Sequence, residues 1–220
     1  MPTRTRQFIA TAALAALATL AGNAQAQANT GSLAGWTTLG DVVAQAGAIV
    51  LTTAYAEAGD PDQPFNLSGT SAADIALVET GAGLAALALD LPEPEYGREG
   101  SLVTQSFAVA AGDTLRFTWS FSTVEDVYQD RAFLVLDGQL ITLATRSAPG
   151  VAATELVHAF ASAGTATLAL GVIDTGDFLG VSTLAVSDLT LTAAVPEPAA
   201  VALWLAGLAG VGAAARRRRG

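Results

Sequence analysis

The chain has 220 residues, 20 acidic against 10 basic side chains, and a formal net charge of −10. Cysteine is absent, histidine occurs once and every base is arginine. Disulfide frameworks, thiolate metal sites, cysteine nucleophiles, multi-histidine centres, lysine Schiff bases and P-loops are therefore excluded. A hydrophobic share of 51% against 14% charged residues excludes a disordered acidic chain and fits about one domain with tails.

The N-terminus carries Arg4 and Arg6, then an apolar run from Phe8 to Ala21, then Ala24-Gln25-Ala26. This order is that of a secretory signal peptide. Residues 1–26 are read as that peptide, with cleavage expected after Ala26 and the following Ala26-Gln27-Ala28 as the alternative tripeptide. Export also agrees with a chain that has dispensed with cysteine.

Residues 27–194 read as one β domain. Ile49 to Thr53 and Leu84 to Leu89 are short strand candidates, and Ala73 to Val78 fits either a helix or a strand. Gly59 to Thr70 and Pro92 to Gly100 read as polar loops. Ser101 to Ala110 is a strand with Val103, Phe107 and Val109 inward. In Thr114 to Phe121, Leu115, Phe117, Trp119 and Phe121 alternate strictly with polar residues, as in a half-buried strand. Ala132 to Leu136 is apolar on both faces, as in a central strand. Asp137-Gly138 then turns the chain into Gln139 to Ala144, a hairpin signal. Thr154 to Phe160, Thr165 to Val172 and Val181 to Thr192 complete the set. In the last, the inward set changes from Leu184 and Val186 to Leu189 and Leu191 across Ser187-Asp188, the phase slip of a β-bulge. Short strands with turns between them indicate an antiparallel sandwich.

The C-terminus reads Pro196-Glu197-Pro198, an uncharged apolar stretch at 199–215, and the four arginines Arg216, Arg217, Arg218 and Arg219. As a helix that stretch would reach about 26 Å, enough for a transmembrane helix with little tilt. The arginines would hold its end in the cytoplasm. The two prolines keep the segment before it extended, the shape a protease subsite needs. Pro196-Glu197-Pro198 is otherwise a stiff linker to an anchor.

These three parts, in this order at the extreme end, resemble the PEP-CTERM sorting signal of exported proteins from Gram-negative bacteria that make exopolysaccharide. The resemblance implies that residues 195–220 are the signal and that an exosortase removes the span. It implies a transient inner-membrane stage and delivery to the cell surface or extracellular matrix. Four further pieces resemble the jelly-roll sandwiches of such proteins and of carbohydrate-binding modules. They are Gly35-Trp36, Ala111 to Phe117, Asp130 with Phe133 to Gly138, and Val186 to Leu191. The expected fold is thus all-β: one jelly-roll-like antiparallel sandwich flanked by a signal peptide and a transmembrane helix.

Loss of both ends would remove six of the ten arginines and only Glu197 among the acids. The remaining domain would be strongly acidic and would repel nucleic acid. Its acids gather at two turns, one bearing Asp126 and Asp130 and the other Asp174 and Asp177. Calcium takes such carboxylates together with carbonyl oxygens, so calcium is the cofactor these turns would hold, with solvated turns as the alternative. Trp36, Tyr55, Tyr96 and Tyr128 are candidates for stacking on sugar rings, Trp36, Tyr96 and Tyr128 foremost. Glu125, Asp130 and Asp137 are the acids a glycosidase would use, with nothing in the sequence to place them across a cleft. His158, in strand parity with Leu156 and Phe160, reads as a core or edge histidine. The leading expectation is a non-catalytic surface or matrix protein with a structural or adhesive role beside exopolysaccharide. A calcium-assisted carbohydrate-binding module and a small surface glycoside hydrolase are the alternatives.

Overall fold

Strict alternation of apolar and polar residues dictates strands that bury one face. In the computed structural model, which describes residues 30–147 and 151–194, that rule is clearest in the long strands that line the core. The expected signal peptide, Pro196-Glu197-Pro198, the 199–215 span and the cluster of Arg216, Arg217, Arg218 and Arg219 lie outside the described residues. Among the described residues no helix is long and apolar enough to cross a membrane. The elements are β1 (Thr37–Leu39), β2 (Asp41–Gln45), β3 (Ala48–Thr52), β4 (Ala73–Asp74), α1 (Ile75–Gly81), β5 (Gly97–Val109), β6 (Thr114–Thr123), β7 (Arg131–Leu136), β8 (Gln139–Thr145), β9 (Val151–Ala159), β10 (Gly164–Thr175) and β11 (Ser182–Thr192).

They form two antiparallel sheets packed face to face. One runs β1-β5-β10-β7-β8, with β4 added at the start of β5; the other runs β2-β3-β11-β6-β9. From β5 onward most connections cross from one sheet to the other, in jelly-roll manner. The core between the sheets takes the inward rows: Leu115, Phe117, Trp119 and Phe121 of β6, Leu168, Leu170 and Val172 of β10, and Leu184, Val186, Leu189 and Leu191 of β11. The phase slip in β11 is real. Its register against β6 shifts between Ser187 and Thr190, and Asp188 takes φ 53°. The bulge is what lets four apolar residues of one strand face the same core.

β7 is apolar on both faces because both are buried. Ala132, Leu134 and Leu136 belong to the inter-sheet core. Phe133 and Val135 join a second cluster on the outer side, where Val78, Ala82 and Leu89 cover the first sheet. Ala73 to Val78 resolves as a two-residue strand followed by a helix, because Asp74 caps that helix by accepting from the Ala76 N–H at 2.8 Å. Leu84 to Leu89 is not a strand. The Glu79 carboxylate accepts from the Leu87 and Leu89 N–H groups, both at 2.9 Å, and Leu87 takes φ 66°. These bonds bend the run into a cap that seats Leu89. β5 starts earlier than expected, at Gly97, so part of the supposed polar loop is sheet. β1 and β2 carry too little alternation to announce themselves.

The two-sided burial of β10 depends on a missing side chain. A Cβ on Gly171 would collide with Cζ of Phe133, a residue with no exposed surface. Gly171→Ala is therefore expected to cost about 1–3 kcal/mol by overpacking. It should appear as a lower denaturant midpoint with unchanged slope. Gly164→Ala, with nothing within 4 Å of its Cβ, should stay within about 0.5 kcal/mol of the parent.

Candidate functional site

The inward rows do not stay apolar to their ends. At one end of the sandwich, β10 runs Leu168, Leu170, Val172 and then Asp174; before β7, the row of Ala132 and Leu134 begins at Asp130; β5 places Glu99 in the row of Ser101 and Val103. β11 begins there with Ser182, and the chain beyond β3 adds Thr53 and Tyr55. The last layer of the core at this end is thus carboxylic acid and hydroxyl. Glu99, Asp130 and Asp174 are each exposed by 1% or less.

Asp130 has several partners. Its Oδ1 accepts from the Thr175 N–H at 3.0 Å and its Oδ2 from the Ser182 hydroxyl at 2.7 Å. Asp174 lies beside Asp130, and Tyr55 beside Glu99. Oε2 of Glu99 and Oδ1 of Asp174 have no partner. Burial pushes the Glu99 carboxyl up to about 8, ahead of the smaller repulsion from Asp60, Asp62 and Asp130. Burial also raises Asp130 and Asp174, and Asp174 rises further beside the Asp130 charge. Asp62 is raised by burial and by Asp60. Tyr55 is raised by burial and by its neighbour Glu99.

Other buried acids in this chain are held by backbone N–H groups. Asp41 accepts from Leu67 and Ser68, Glu79 from Leu87 and Leu89, and Glu125 from Val127 and Tyr128. Glu99 and Asp174 accept no such bond. Nor do arginines neutralise them. Arg98 donates to the Gly176 carbonyl at 2.8 Å, and Arg146 to the carbonyls of Tyr128 and Val127. Arg131 lies on the outer side of its strand, where Asp90 and Glu79 are its charged neighbours. The salt bridge among the described residues, Arg116–Glu155, is on the exposed face of the second sheet.

Of the four aspartates expected at the two turns, the structure brings Asp130 and Asp174 together inside. It leaves Asp126 exposed and Asp177 half-buried, its Oδ1 accepting from the Leu179 N–H. Among the described residues no three Asp, Glu or His side chains stand in a ready-made metal-holding arrangement. Glu99 is the member of this layer that sequence reasoning misses, because its neighbours read as a polar loop. The available signal is parity, since Glu99, Asp130 and Asp174 each continue an inward apolar row.

The aromatic candidates divide. Trp36 is packed in the inter-sheet core at 8% exposure, so its ring offers no face to a sugar. Tyr96 and Tyr128 meet around Gly176: the Tyr96 carbonyl accepts its N–H at 2.9 Å, and a Cβ there would collide with the Tyr128 ring. Phe178, 48% exposed, follows in the same loop, with the Arg98 guanidinium 5.9 Å from its ring centre. Among the glycosidase candidates, Glu125 and Asp130 share this end of the sandwich. Asp137 sits in the β7–β8 turn at the other end, so the three do not share a cleft. His158 lies half-buried on the edge strand β9, edge-on to Phe160 at 4.9 Å.

The interior acids give stability a defined pH dependence. Carboxyls raised on folding keep protons that the unfolded chain releases above about pH 4.5. Their contribution is fully present below that pH and is lost as pH rises through about 8 for Glu99, and the raised Asp130 and Asp174 carboxyls act in the same direction. With a chelator present, the melting temperature is expected to fall steadily from pH 5 to pH 9. Asp174→Asn should flatten that fall. A pH-independent melt of the parent would show that these acids are solvated as charges.

Residues 194–219 match the PEP-CTERM protein-sorting motif, a stretch that takes in Pro196, Glu197 and Pro198 and all of Arg216, Arg217, Arg218 and Arg219. No curated protein matches the chain. Solved structures similar to it include one described as "CBM4 structure and function", at 14% identity over 73% of this chain and 95% of that one, TM-score 0.34. TmCBM61 in complex with β-1,4-galactotriose is similar at 12% identity over 74% and 92%, TM-score 0.35. The N-terminal cellulose-binding domain of Cellulomonas fimi β-1,4-glucanase C is similar at 14% identity over 75% and 92%, TM-score 0.35. What the chain carries by direct sequence match is thus a PEP-CTERM sorting signal, placed immediately after the closing strand of its sandwich.

Proposed function

We propose that this chain is an exported protein whose sandwich is delivered to the cell surface or extracellular matrix by an exosortase-type system, where it serves a non-catalytic structural or adhesive role beside exopolysaccharide. Residues 1–26 direct export and are removed. The 199–215 span halts translocation with Arg216, Arg217, Arg218 and Arg219 on the cytoplasmic side, and Pro196-Glu197-Pro198 is the segment read by the processing enzyme.

The observation that carries this reading is the sorting-motif match at 194–219, joined directly to a folded domain. Ala194 is still anchored: its N–H donates to Oδ1 of Asp113 at 2.8 Å. Asp113 also accepts from the Ala110 N–H, and these two donors hold its carboxyl below the usual carboxylate range. The motif's Pro-Glu-Pro therefore begins two residues beyond the last fixed point of the sandwich. An enzyme acting there works at the base of the domain, against the membrane. Glu197→Ala is expected to leave membrane insertion intact and to block release, giving a slower-migrating precursor in the inner-membrane fraction. Normal release of that variant would reduce Pro-Glu-Pro to a linker.

A second reading, glycan binding, is favoured by one loop region at the end remote from the sorting motif, where the Tyr128 ring lies against Gly176, Phe178 is exposed beside Arg98, and the exposed Tyr96 holds Gly176 through its carbonyl. Aromatic faces beside a cation suit sugar rings. On this reading the protein is retarded by immobilised polysaccharide of the producing strain. Tyr96→Ala then weakens retention about 2- to 10-fold, from the ~0.5–1.5 kcal/mol of one ring contact. Equal elution of parent and variant would remove the second reading and leave the first untouched.

A further inference from the structure

We propose that a pocket at the base of the sandwich is the dock of this chain's own Pro196-Glu197-Pro198 segment, with the prolines against its apolar wall and Glu197 accepting from the His158 imidazole. The proposal rests on the reading of that segment as the sorting motif.

The pocket has a volume of about 300 Å³ and is walled by His158 to Thr165, the end of β9 and its turn into β10, with Val109 at the end of β5 and Asp137 in the β7–β8 turn. Such a volume is at the small end for a bound ligand and suits a short segment. Most of the wall is alanine, valine and the Phe160 ring, with the His158 ring edge-on to it at 4.9 Å. Its side-chain polar groups include Asp137, His158 and Ser162. Asp137 is engaged with β10, its Oδ1 accepting from the Thr167 N–H at 3.1 Å. His158 and Ser162 are donors, and even a neutral imidazole carries one N–H. An apolar wall with donors at its rim matches a carboxylate between two prolines.

The chain leaves the sandwich beside this pocket. The Ala194 N–H donates to Oδ1 of Asp113 at 2.8 Å. The Asp113 carbonyl accepts from the Phe160 N–H at 2.9 Å, and the Phe160 carbonyl accepts from the Gly112 N–H at 2.7 Å. A Cβ on Gly112 would lie 3.0 Å from Cβ of Ala194. Ala194 and Phe160 thus flank one turn, that between β5 and β6. β6 stands between β11 and β9 in the sheet, which puts β9 about 10 Å from β11 at about 4.8 Å per strand. Residues 195–198 reach about 12 Å at the ~3.1 Å per residue of a proline-rich segment. That reach brings Glu197 to the end of β9, where His158 is. A segment already extended by its prolines loses little freedom on docking. Docked, it is covered on one side, and the processing enzyme competes with the pocket for it.

Disulfide trapping tests this cleanly, because the chain has no cysteine of its own. The full chain in mild detergent carries Ala199→Cys with either Ser162→Cys, in the pocket wall, or Ala111→Cys, exposed on the turn that Ala194 already touches. Under a mild oxidant the Ser162 pair should close faster than the Ala111 pair. His158→Phe, which keeps a ring and removes the donor, should slow closure of the Ser162 pair about 2- to 10-fold, the worth of one hydrogen bond. Glu197→Ala should slow it equally, with no further loss when the two are combined. Closure of the Ala111 pair as fast as the Ser162 pair would overturn the proposal, as would unchanged closure in Glu197→Ala. Should His158→Phe fail to fold, Glu197→Ala, outside the sandwich, still decides. No processing enzyme is present in this experiment, so its failure leaves the sorting reading standing. Normal release of Glu197→Ala from cells would remove that reading without altering the trapping result.

Discussion

A sandwich buries whatever its strands point inward, and here the inward rows end in acid. Along most of their length the rows of β5, β6, β7, β10 and β11 are Leu, Val, Phe and Ala, closing a dry core between two sheets. At one end the same rows continue into Glu99, Asp130 and Asp174, still out of contact with water. A lone ionised carboxylate in such a place is far costlier than a hydrocarbon. Folding can keep these groups only by holding them protonated, by bonding them, or by matching them with a cation. That constraint shapes the loops that close this end.

The closing loops are themselves organised by carboxylates used in a different way. Asp41 accepts from two successive N–H groups of the 57–70 loop and from the Thr52 hydroxyl at 2.5 Å. Glu125 does the same for the turn before Asp130, and Gly180 must lack a side chain because a Cβ there would meet Glu125 at 2.6 Å. In a chain without lysine, backbone N–H groups replace ammonium groups as the partners of buried acid. The loops are thereby fixed from inside, which leaves their apolar tips, Val124, Val127, Phe178 and Leu179, in solvent.

Much of this was legible in the amino-acid order, for a physical reason. A half-buried strand has a period of two, and β6 and β10 show it without interruption; even the bulge at Ser187-Asp188 appears as a change of phase. Elements governed by tertiary bonds were not legible. Leu84 to Leu89 has strand composition, and Glu79, five residues before it, bends it. β1 and β2 are short edge additions whose place is set by their partners. The site was half legible: Asp130 and Asp174 stood out as acids near turns, but their company did not. Burial, which separates them from Asp126 and Asp177, is a property of parity along the strand, and Glu99 lay in a stretch whose strand character only β10 and β4 bring out. Trp36 shows the converse, an aromatic residue near a terminus that packs into the core.

The two ends of the sandwich are thus chemically unlike, and β11 connects them. Ser182, at its start, bonds to Asp130 in the acid layer; two residues past its end, Ala194 is tied to Asp113 just before the sorting motif. Eleven residues of strand separate the two, roughly 35 Å at about 3.3 Å per residue. The acidic, aromatic-tipped end thus lies at the opposite end of the sandwich from the sorting motif. At the base the strand end is tied through the Ala194 N–H to Asp113. The sorting motif begins where the chain leaves the closing strand. At the far end the carboxylates lie inside and the apolar tips face out.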